Sequence, residues 1–384
     1  MTSGVPVRPE LLRWACDRAR LDPDDLATRF PQLAAWVRQE RKPTIKQLEK
    51  FAKATRTPLG YFSLPDPPEE RIPIPDFRTV AGEIAGPSPD LLDTVYAMQR
   101  RQAWLREERI DCGAEPLDFV GAASLTDDPQ AVGREMRRVV GVGDGWAATV
   151  RTWQEAVSHL RRAIEALGVM AVINGIVGNN THRKLDVEEF RGFALCDAYA
   201  PLVFVNGADA KSAQMFTLAH ELAHIWLGAD GEGLSGFDLL SPGGGEVETF
   251  CDQAAAEFLV PEQELRARWR DAKYASEPFH VIARLFKVSP IVAGRRAMDL
   301  RLVDRETFFT FYREYVSRER RPGKGSGGGD FYNNQNTRVG ELFATQVIFA
   351  AMEGRIGFKE AYDLTGLRGG AFQEYARRLG VDLP

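Results

Sequence analysis

Apolar residues recur at helical spacing in short bursts over the first 64 positions. Leu11, Leu12, Trp14 and Ala15 open one helix, and the run Asp22-Pro23-Asp24-Asp25-Leu26-Ala27 is a cap-plus-proline start for a second. Residues 31–38 form a third, and residues 44–54 a fourth with Thr44 as its cap. Proline and glutamate then dominate residues 65–75, the composition of a stiff extended linker. Amphipathic helices return between residues 88 and 167, marked by Leu91, Leu92, Val95, Tyr96 and Met98 and later by Trp153, Ala156, Val157, Leu160, Ile164 and Leu167. The pattern changes to short β-rich runs at residues 168–173, 190–196 and 202–205. Beyond them the chain is helical again. Residues 281–299 have a helix-turn-helix-like form, the glycine run 323–329 reads as a connector, and residues 338–380 form a terminal helical segment. The expected fold is mostly α with a small β-sheet (α+β). The expected domains are 1–66 (helix-turn-helix-like), 67–85 (Pro-rich linker), 86–275 (the main domain), 276–320 (a second helix-turn-helix-like unit) and 321–384 (connector and carboxy-terminal segment).

Composition narrows the class. Hydrophobic residues make up 44% and charged residues 27%, as in globular proteins, and no run of eighteen apolar residues suggests a membrane span. Nor does the amino terminus show a secretory signal pattern, so a cytoplasmic location is expected. Four cysteines, at 16, 112, 196 and 251, lack CxxC spacing and suit reduced thiols. A net charge of −5 gives no global reason to bind nucleic acid, so any DNA contact must be a local patch.

The densest chemistry lies in Thr217-Leu218-Ala219-His220-Glu221-Leu222-Ala223-His224-Ile225-Trp226-Leu227-Gly228. On a helix, i and i+4 share a face, so His220 and His224 can reach one cation. Glu221 is about 100° around the helix from His220, near enough to serve a reacting water without binding the metal. The chain has only five histidines, and two fall at ligand spacing on an otherwise apolar stretch, which argues against two incidental buried histidines. Gly228 is expected to end the helix in a left-handed conformation.

A catalytic zinc takes a third protein ligand and keeps a fourth position open. A histidine six residues after the second one is a known solution, but that position holds Asp230. The alternative is a glutamate on a following helix, here residues 247–261. Glu248 is assigned to the metal and Asp252, four residues on, to the second N–H of a ligand histidine. Glu257 and Glu246 are rival ligands. Cys251 reads as a small buried residue rather than a thiolate ligand.

Residues 191–261 carry Arg-Gly-Phe-Ala-Leu, Val-Phe-Val-Asn-Gly, the His-Glu-x-x-His helix and Ala-Ala-Glu-Phe-Leu-Val-Pro, and with these motifs the chain resembles the ImmA/IrrE family of zinc metallopeptidases. Family members usually show Glu-x-Glu-Ala-Asn in the second helix. Here Phe250 replaces the middle glutamate, while the first is retained as Glu248. The resemblance implies a zincin-like core flanked by helical domains, an amino-terminal repressor-like helix-turn-helix, and Zn2+ as cofactor. It also implies a protein substrate, a helix-turn-helix repressor whose cleavage relieves repression.

On this reading His220, His224 and Glu248 hold zinc and Glu221 is the general base of peptide hydrolysis. His182, Tyr199, Tyr274 and Tyr332 are oxyanion donors by residue type alone. An edge strand, either residues 192–196 or 202–206, is expected to receive the substrate as an added strand. In the amino-terminal domain the third helix is short and offers few polar residues for base reading. Arg38, Arg41, Lys42 and Lys46 are candidates for phosphate contacts, with a solvated face on a protein-interaction module as the alternative. The rival for the whole chain is a DNA- or protein-binding regulator whose zinc is structural or sensory.

Overall fold

Capping and proline placement start the helices close to where the pattern predicts them. The computed structural model describes residues 4–21, 23–70, 87–228, 245–319 and 334–381. Most of the expected linker, the glycine run 323–329, the Asp22 cap and Tyr332 lie outside them. The chain divides into two units, residues 1–73 with 82–97 and residues 74–81 with 98–384.

The first unit holds α1 (Pro9–Arg18), α2 (Pro23–Arg29), α3 (Leu33–Val37), α4 (Ile45–Ala54) and a 3-10 turn, Leu59–Ser63. Thr44 and Gln47 form a reciprocal capping box: the Gln47 N–H donates to Thr44 Oγ1 at 3.3 Å, and the Thr44 N–H to Gln47 Oε1 at 2.8 Å. Leu11, Leu12, Trp36, Leu48, Phe51 and Phe62 make its core, with Phe51 meeting Phe30 and Trp36 edge-on. α3 is only five residues long.

The second unit takes in most of α5 (Pro89–Asp111), and then α6 (Pro129–Val140), α7 (Trp146–Thr149) and α8 (Trp153–Ala166) precede a three-stranded sheet. Its strands are β1 (Met170–Asn174), β2 (Gly192–Leu195) and β3 (Leu202–Asn206), in the order β1-β3-β2. β1 runs parallel to β3 and β2 antiparallel to it, with Phe193 opposite Phe204. Every strand residue is buried, which explains continuous apolar runs in place of alternation. Because β3 is central, residues 202–206 cannot serve as an edge strand; β2 takes that place. Along the other outer strand, β1, packs a π-helical turn, Asn336–Gly340, whose Gly340 has φ 88°.

Across β2 and β3 lies α9 (Lys211–Leu227), followed by α10 (Glu246–Leu259), α11 (Glu262–Ala272), α12 (Pro278–Phe286), α13 (Pro290–Asp299) and α14 (Arg305–Glu319). Phe279, Ile282, Ala283, Val292 and Ala293 of α12 and α13 join the same hydrophobic core as Leu218, Leu222 and Ile225 of α9. The helix-turn-helix-like pair is therefore packed into the core of the main unit. The carboxy-terminal part adds α15 (Glu341–Met352), α16 (Phe358–Thr365) and α17 (Gly370–Arg378). No helix among the described residues is long and apolar enough to cross a membrane.

Candidate metal centre

α9 is buried on every side from Gln214 to Leu227, so its rotation is dictated by the core around it. Its start is tied by Gln214 Nε2, which donates to Gly207 O at 3.1 Å and Asp209 O at 2.7 Å. At its other end, the Gly121 and Ala123 N–H groups donate to the Ile225 and Trp226 carbonyls at 3.0 and 2.9 Å. Gly228 does have a positive φ, 69°, but its ψ of −141° is not the expected left-handed helical value. The Gly121 and Ala123 amides meet the last carbonyls in place of a tight left-handed turn, and since a Cβ on Gly228 would stand 2.8 Å from Gly121 Cα, only glycine lets that loop approach.

The imidazoles of His220 and His224 project to one point. Their Nε2 atoms are 3.2 Å apart, and the Glu248 carboxylate of α10 comes within 3.2 Å of His220 Nε2 and 3.5 Å of His224 Nε2. These three residues form a cluster able to hold a metal ion. A tetrahedral ion with ligand bonds of about 2.0–2.1 Å requires donor atoms about 3.3 Å apart, close to the spacing of the two imidazole nitrogens. Asp252, one turn after Glu248, places Oδ1 2.9 Å from His220 Nδ1, leaving Nε2 directed at the cluster. Burial alone would lower the pKa of His220, but hydrogen bonds and charge from Asp252 and Glu248 outweigh it and hold the ring well above its ordinary value.

Glu221 is fully buried beside the cluster. It faces β2: a Cβ on Gly192 would stand 2.8 Å from Glu221 Oε1 and 2.5 Å from Thr217 Cγ2. Only glycine lets the strand come this close to the helix. Sequence reading missed Gly192 as part of the site; its one signal was an isolated glycine at the start of a strand.

The rival ligands lie elsewhere. Glu257 pairs with Arg296 and accepts the Glu262 N–H, and Glu246 is not part of the cluster among the described residues. Burial, followed by the nearby carboxylates, pushes the Cys251 thiol well above its ordinary pKa, so it remains neutral. Of the oxyanion candidates, His182 and Tyr274 are exposed and Tyr199 is half-buried beside Arg106. Arg38, Arg41, Lys42 and Lys46 lie on the first unit, with Arg38 paired to Glu40 at 2.8 Å.

Residues 165–298 match the family model of the IrrE N-terminal-like domain. This stretch contains α9, α10 and the sheet, and it carries the zincin-like domain of the ImmA/IrrE family that its motifs resemble. Residues 339–378 match the model of a domain of unknown function, DUF8813. No curated protein matches the chain.

Proposed function

We propose that the chain is a zinc-dependent endopeptidase, with His220, His224 and Glu248 as metal ligands and Glu221 as general base. The observation carrying this reading is two imidazole nitrogens 3.2 Å apart with a carboxylate whose oxygens reach them at 3.2 and 3.5 Å, and a buried carboxylate on the adjacent residue. The imidazole-rich donor set suits zinc rather than calcium or magnesium, which prefer all-oxygen sites. An ion bound there supplies Lewis acidity, polarising a peptide carbonyl and lowering the pKa of water toward about 7.

The rest of the work belongs to the protein. A Glu221 oxygen accepts the proton of the attacking water as its oxygen bonds to the scissile carbon, then returns that proton to the amine nitrogen as the C–N bond breaks. Asp252 holds the His220 ring in one tautomer and orientation. The Asn206 N–H donates to Arg191 O at 2.7 Å, so by antiparallel alternation Gly192 and Ala194 turn their own N–H and C=O groups away from β3. Among the described residues no strand pairs with that edge, which suits an added substrate strand passing Glu221.

The resemblance to the ImmA/IrrE family supports a helix-turn-helix repressor as substrate, cleaved to relieve repression. Glu221→Gln tests the reading. It should keep bound zinc, measured by elemental analysis, while cleavage of a co-expressed repressor falls about 10²–10⁴-fold. Undiminished cleavage would leave a regulator with a structural or sensory metal as the better account.

A further inference from the structure

Glu257 is buried and stands apart from the metal cluster, yet it belongs to the helix that supplies Glu248. Nine residues separate the two, about two and a half turns, so they leave α10 on opposite faces some 13 Å apart along its axis (roughly 1.5 Å per residue). At its amino end α10 starts from Gly245, which offers no side-chain cap. Its carboxyl end is gripped by cations from two other helices. Arg137 of α6 donates to Phe258 O at 2.9 Å. Arg296 of α13 donates to Val260 O at 3.1 Å and also pairs with the Glu257 carboxylate. The same carboxylate accepts the Glu262 N–H at 3.3 and 3.4 Å, and Arg134 of α6 lies 3.7 Å away. Gly133 of α6 allows this packing, since a Cβ there would meet Ala254 O and stand 2.9 Å from Glu257 Cβ.

A buried ion pair is a poor device for stability, because desolvation offsets its attraction and apolar residues of similar volume often do as well. What a guanidinium adds is direction: its fixed donor geometry suits one placement of its carboxylate and carbonyl partners. We propose that Glu257 and Arg296 are positioning residues of the metal centre. They set the rotation and register of α10 from its far end, so that Glu248 and Asp252 meet His220 and His224. The proposal rests on the metal-site reading above. It makes α13, which in sequence looks like part of a separate helix-turn-helix unit, a component of the scaffold of that site.

The full chain carrying Glu257→Leu with Arg296→Met tests the idea by two readouts, thermal unfolding without metal and cobalt(II) binding by chelator competition with its visible spectrum. The metal-free variant should unfold at or above the parent's temperature, yet bind cobalt about 10–100-fold more weakly and with altered visible bands. Parent-like affinity and spectrum would overturn the proposal. If the double variant does not fold, Arg296→Lys decides: it keeps the charge but replaces the rigid guanidinium fork by a single nitrogen on a flexible stem, so the placement of the Val260 carbonyl and Glu257 loosens and cobalt affinity should fall up to about tenfold. Unchanged binding in that variant would also overturn it. A parent chain that binds no cobalt would refute the metal reading itself, a result distinct from equal binding by parent and variant.

Discussion

α9 and α10 deliver side chains to the same point from one shared hydrophobic core, but they differ in how much of each helix that core covers. α9 is buried along fourteen consecutive residues, Gln214 to Leu227, and its orientation follows from hydrophobic packing on the sheet, α8 and α10. α10 leaves the Glu248 and Asp252 side chains 30% and 33% exposed, and polar contacts grip its carboxyl end. On α9 the ligand geometry is internal to one helix, whereas on α10 it depends on how one helix is set against another. Packing mutations should therefore act on stability in the first helix, and polar mutations on metal binding in the second.

The largest effect is expected from Leu222→Ala, which opens a cavity at the centre of α9 and should cost about 2–5 kcal/mol in a denaturant titration. A cost below about 1 kcal/mol would break the contrast, since core burial would then not be what fixes α9. Next, Gly192→Ala places a methyl against Glu221 and Thr217; overpacking should cost about 1–3 kcal/mol and reduce peptidase turnover more than metal affinity. Equal turnover in parent and variant would show that the close approach of β2 is incidental. Asp252→Asn is sharper still as a probe of α10. Zinc affinity should drop about 10–100-fold, or about 1.4–2.7 kcal/mol, in a chelator-competition titration. A loss of stability without a loss of affinity would reverse the assignment.

The smallest effect is expected away from both helices. Replacing Arg38, Arg41 and Lys42 together with Ala should leave unfolding and metal affinity of the chain as they are. If the first unit binds phosphates, the same variant should lower the salt dependence of duplex DNA binding by about 0.9 in log–log slope for each phosphate that is no longer neutralised. Salt-independent or absent binding by the parent would favour a protein-docking role.

Much of this protein is legible in one dimension because much of it is periodic. The His220–His224 spacing, the apolar stripe of α9 and the Thr44 cap are relations between residues a turn apart, so local backbone geometry settles them before any packing is known. The strands are legible for a related reason: buried strands read as continuous apolar runs between turn residues. The order of those strands is not, because hydrogen-bond partners are chosen through space, and this leaves residues 192–196 and 202–206 equal as edges. The choice among Glu246, Glu248 and Glu257 stays open in sequence for the same reason, since three carboxylates on one helix differ only in which neighbour each one faces. The close approach at Gly192 and the grip of Arg296 on α10 likewise exist only once distant segments meet. Spacing along one helix already groups the side chains that can act together; which helices and strands face one another follows only from packing and desolvation summed over the whole core.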